Sequence, residues 1–66
     1  MKDRKGNELA VGDRVYVLDD THFVGGRGRI IEFNADDDWC RVDDLQLDTG
    51  SYGWTAWCKP DEIEKQ

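Results

Sequence analysis

Apolar residues along this chain come in short runs, and turn-forming residues separate them. "DRVYVL" (Asp13 to Leu18) alternates: Val15 and Val17 point to one face, and Arg14, Tyr16 and Leu18 to the other. "GRIIEF" (Gly28 to Phe33) predicts a second strand, whose adjacent isoleucines break the alternation and so imply a bulge or burial on both faces. "DWCRVDD" (Asp38 to Asp44) predicts a third, with Cys40 and Val42 opposite Trp39 and Arg41. "SYGWTAWC" (Ser51 to Cys58) predicts a fourth, with Tyr52, Trp54 and Ala56 opposite Thr55 and Trp57. "KDRKGNEL" reads as an N-terminal hairpin turning at Gly6-Asn7, and "KPDEIEK" as one turn after Pro60 followed by Ile63 plugging one end of the fold. No window sustains a helical period. Strands punctuated every eight to twelve residues predict an all-β fold, a small barrel of about five short antiparallel strands.

Length sharpens that picture. Sixty-six residues make a single domain, 1–66, with no internal repeat or linker. A chain of this size buries only about 60% of its unfolded surface, so a substrate pocket would compete with the core for the same side chains. Phe33 and Trp54 are the leading large core candidates. The chain is read as no enzyme. His22 is its only histidine, and its neighbour Asp20 does not make a triad without a placed nucleophile.

Charge is uneven. Net charge is −6: residues 1–29 carry six basic groups and five acids, and residues 30–66 carry three and ten. Such a field repels phosphate backbones and favours cationic partners, so nucleic-acid binding is disfavoured. No apolar run reaches the ~18 residues needed to span a membrane, and "MKDRKGNELA" lacks the apolar stretch of a signal peptide, so a cytoplasmic location is expected. Cys40 and Cys58 then read as reduced, part-buried thiols, a disulfide between them being the alternative. Their spacing carries no zinc signature, and "NADDDW" (Asn34 to Trp39) lacks the spaced ligands, central glycine and terminal glutamate of an EF-hand loop. No metal or cofactor is expected.

"GGRGRI" (Gly25 to Ile30) has the glycines of a phosphate cradle but leads into a strand rather than a helix, and no Lys-Ser/Thr pair follows. Its glycines are read as architecture: Gly25 and Gly26 supplying positive φ in a turn, Gly28 at a close backbone crossing. "VGDRVYV" (Val11 to Val17) followed by "GGRGRII" (Gly25 to Ile31) resembles the KOW-type pattern of SH3-like barrels. The preceding "DRKGNEL" is similar to the hairpin that stands before "GDRV" in small bacterial and phage proteins of that architecture. The resemblance implies an SH3-like barrel, a fold that serves RNA and ribosome binding, methyl-lysine reading, peptide binding and structural roles in larger enzymes.

Seven aromatics exceed what so small a core needs. Tyr16, Trp39 and Trp57 fall opposite the expected core positions, and Asp36, Asp37 and Asp38 stand nearby in sequence. Together they predict an aromatic and acidic surface that takes cationic side chains. The functional expectation is a non-enzymatic protein-interaction module, a bacterial or phage accessory factor that binds, and regulates or inhibits, a basic protein. The alternative is nucleic-acid or ribosome binding through a stripe of Arg14, Arg27, Arg29 and Arg41, with Tyr16 stacking on bases.

Overall fold

A computed structural model describes residues 1–19, 24–34 and 36–66. Its strands are β1 (Arg14–Val17), β2 (Gly26–Asn34), β3 (Trp39–Leu47), β4 (Trp54–Cys58) and β5 (Ile63–Lys65), with a 3-10 turn at Pro60–Glu62 before the last. All pair antiparallel in one sheet of order β4-β3-β2-β1-β5. The fold is all-β and barrel-like, as the strand pattern predicts. Among the described residues no ladder seals the sheet, however, so β4 and β5 remain as edges.

Alternation builds the core. Val15 and Val17 from β1, Ile30 from β2, Cys40, Val42 and Leu45 from β3, Cys58 from β4 and Ile63 from β5 join Leu9 in one buried cluster. Each fully buried aliphatic side chain there contributes about 1.5–3 kcal/mol. Register shifts interrupt the β2–β3 ladder between Arg27 and Arg29 and between Ile30 and Glu32. The second shift accounts for the paired isoleucines: Ile30 is buried while Ile31 is exposed. Such irregularities bend a strand, which lets two nine-residue strands wrap so few core residues.

Three expectations need correction. Trp54 is 55% exposed, not core. It pairs with Leu45 at the end of an edge strand, beyond a register shift between Val42 and Leu45, and Leu45 fills the interior there. Phe33 only packs against the core from a half-buried position. Gly25 and Gly26 are not in the left-handed region; the positive-φ glycines are Gly6, Gly12, Gly50 and Gly53. What excludes a side chain at Gly25 and Gly26 is space: a Cβ on Gly26 would lie 2.7 Å from the carbonyl oxygen of Gln46, and one on Gly25 would lie 2.8 Å from the Val17 carbonyl oxygen. Gly28 does mark a close crossing, since a Cβ there would fall 2.5 Å from Val42 Cγ1 and 2.8 Å from the Asp43 carbonyl oxygen.

The N-terminal hairpin forms, with Lys2 bridging Glu8 and Gly6 at φ 86°. Asp3 organises it. Its carboxylate accepts hydrogen bonds from the backbone N–H of Lys5 (2.9 Å), Asn7 (2.8 Å) and Lys65 (2.7 Å). The backbone N–H of Arg4 donates to the Ile63 carbonyl at 3.1 Å. The hairpin therefore lies against the outer edge of β5 and satisfies its backbone groups.

Candidate interaction surfaces

Odd-numbered residues at the start of β3 point away from the core, and the register sets Arg41 beside Trp57 of β4. The Arg41 guanidinium lies 5.9 Å from the Trp57 ring centroid and 3.2 Å from Glu32 Oε1. Lys59 Nζ lies 4.5 Å from the Trp39 centroid and donates to the Asp37 carbonyl at 3.3 Å. Trp39 and Trp57 thus share one outer surface with the exposed Asp36, Asp37 and Asp38 of the β2–β3 turn, but each ring already has an internal cation on one face. Thr55 Oγ1 donates to Asp43 Oδ1 at 2.7 Å, and this bond is the main reason the Asp43 carboxyl is held below its ordinary pKa.

Tyr16 does not join that surface. It lies on β1, opposite Arg27 of β2 and Glu64 of β5, and its hydroxyl donates to Asp48 Oδ2 at 2.5 Å. This bond, followed by burial and the negative charge of Asp48, pushes the phenol pKa up to about 12. The largest exposed aromatics beside Trp57 (46% exposed) are instead Trp54 (55%) and Tyr52 (82%). Strand parity placed Trp54 on the inner face, and only the knowledge that β4 is an edge would have revealed it.

The arginines divide. Arg14 stands directly opposite Arg29 across β1 and β2, and Arg27 follows two residues away on the same side of β2. These three line a groove of about 240 Å3 together with Gly28, Asp44 and Gln46. Among the described residues none of the three enters an ion pair, whereas Arg4, Lys5, Arg41 and Lys65 all do. Arg41 is not part of this cluster; Glu32 and Trp57 hold it on the outer surface of β3.

Cys40 and Cys58 face each other across β3 and β4, both buried, and burial pushes the Cys40 thiol pKa up. No group of three or more metal-ligating side chains occurs among the described residues. His22 lies outside the described residues. No helix of the described residues is long and apolar enough to cross a membrane. No family model matches this chain, and no curated protein or solved structure matches it either.

Proposed function

We propose that this chain is a non-enzymatic interaction module, an SH3-like barrel that binds a basic protein through the aromatic and acidic surface of β3 and β4. The observation that carries the reading is the half-exposure of Trp54 and Trp57 on one short strand in the acidic half of the chain. Exposed tryptophans are costly in a monomer and are enriched at the energetic centres of protein interfaces. Asp36, Asp37 and Asp38 lie in the turn next to Trp39, and Asp43 bonds Thr55 on the face that Trp57 shares; these acids select a cationic partner. Trp39 contributes at the margin, beneath Lys59. The SH3-like assignment draws support from the strand order, in which β1 sits between β2 and β5, and from the single 3-10 turn before the last strand.

The test is affinity capture from the native host with the wild-type chain and with the W54A/W57A double variant. A protein enriched by the wild type and lost by a folded double variant is the expected result. Equal capture by both removes the reading.

A second reading has its own support in the three arginines. Like charges directly opposite each other on neighbouring strands destabilise a sheet, and this chain has surplus acids that would relieve them. An arrangement left unrelieved fits a phosphate-bearing ligand, with nucleic acid as the class and Tyr16 beside it to stack. Binding of a short single-stranded oligonucleotide should then fall with a log–log salt slope of about −2, the value for three phosphates. Absence of binding at low salt, or no effect of Arg29→Ala, eliminates it.

A further inference from the structure

The two edges of this sheet are treated differently. The β5 edge is three residues long, carries Glu64 and Lys65, and is covered by the N-terminal hairpin. Its outward N–H at Lys65 finds the Asp3 carboxylate and its outward carbonyl at Ile63 finds the N–H of Arg4. These are the usual protections of an edge strand: shortness, charge and a cover.

Among the described residues β4 has neither charge nor a cover. Its sequence, Trp54-Thr55-Ala56-Trp57-Cys58, holds no charged residue and no proline. Among the described residues, Trp54 to Trp57 enter no backbone hydrogen bond beyond the ladder with β3. Alternate backbone donors and acceptors of this strand therefore face outward, framed by two half-exposed tryptophans. An uncharged aromatic edge of this kind is a template for another strand.

We infer that β4 is a docking edge that takes an extended, lysine- or arginine-bearing segment of a partner protein as a sixth strand. The inference rests on the protein-binding reading above and gives it a mode. Main-chain hydrogen bonds would supply affinity, and the side chains of the added strand would alternate between the two sides of the sheet.

Charge selects the occupant. Asp43 is hydrogen-bonded to Thr55 in the middle of β4, and Asp38 and Asp61 flank Lys59 and Pro60 at its far end. A second copy of the chain would bring this same set of acids, on a molecule of net charge −6, against itself. A basic segment meets the opposite field.

A blocked peptide alternating valine and lysine is the probe, with a version N-methylated at every backbone nitrogen as control. The two carry the same charge, but the methylated one lacks the donors for a ladder. Amide hydrogen exchange of the wild-type chain, followed by NMR, is the readout. The first peptide is expected to slow exchange at outward-facing β4 amides by about ten-fold or more, and the methylated one to leave them unchanged. Equal binding of both peptides, or slowing elsewhere than β4, overturns the strand-addition mode. Concentration-dependent slowing without peptide overturns the choice of occupant, because a second copy would then be the added strand. If the wild type captures a host protein that W54A/W57A loses while either of these results holds, the interaction reading stands and only the edge mode falls. If capture is also indifferent to W54A/W57A, both fall.

Discussion

Asp3 shows how much one side chain can organise in a small fold. It is the one buried charged residue among those described, and its carboxylate collects donors from the hairpin and from β5. The Lys65 N–H contributes most to lowering its pKa to about 2, burial opposing. The unfolded carboxyl titrates near 3.9, so the contribution is fully present above about pH 4 and is lost as pH falls toward the folded value. Asp3→Asn puts an amide where N–H donors converge. It should lower the melting temperature at neutral pH and flatten the loss of stability between about pH 4 and pH 2, as thermal melts across that range would show. Tyr16 works in the opposite direction. Its bond to Asp48 requires the phenol proton, and its pKa rises from 10.0 to about 12. The stabilisation is complete below the unfolded value and disappears as pH rises through about 12. Tyr16→Phe should remove that alkaline loss and the late phenolate step seen in ultraviolet absorbance.

At the scale of elements, the β2–β3 hairpin is the structural centre, and Gly28 is its tightest point. A methyl group there meets Val42 and the backbone of Asp43, neither of which is the end of a flexible side chain. Gly28→Ala should therefore cost about 1–3 kcal/mol, read from chemical denaturation, with the midpoint shifting and the slope unchanged. The glycine's reason for being there was legible in the sequence, as were β1 from its alternation and the irregularity in β2 from its paired isoleucines. Other features were hidden for physical causes. The predicted third strand stops at Asp44, yet β3 runs on to Leu47, with Asp44 at φ 56° within the register shift. Strand parity predicted that Arg27 and Arg29 share a side, but only the pairing register shows Arg14 opposite Arg29 and Arg41 turned to Glu32. Parity also says which way Trp54 points but not that it stays 55% exposed at the end of its strand. Contacts such as Lys59 on Trp39 join residues twenty apart, and local pattern carries no information about them.

For the whole molecule the deciding term is the balance between paired and surplus charge. The ion pairs that tie the hairpin to the body, Arg4–Glu64 at 3.3 Å and Lys5–Glu64 at 3.8 Å, and Lys65–Asp13 at 3.5 Å, involve exposed cations. Pairs of this kind are worth about 0–1 kcal/mol each and weaken with salt. Against them stands a net charge of −6 on a body whose radius of gyration is 10.6 Å. At low ionic strength the screening length, about 30 Å at 0.01 M, exceeds that size, so every surplus acid repels every other. At about 0.15 M it falls to about 8 Å and most of the mutual repulsion is removed. The unfolded chain is far more expanded and feels little of either change, so screening acts chiefly on the folded state. The repulsive contribution outweighs the few exposed pairs. Raising salt over that range should stabilise the fold on the order of 1 kcal/mol, as denaturation midpoints in sodium chloride would show. A fall in stability would mean that the hairpin's ion pairs, rather than the surplus of acids, set the electrostatic balance of the fold.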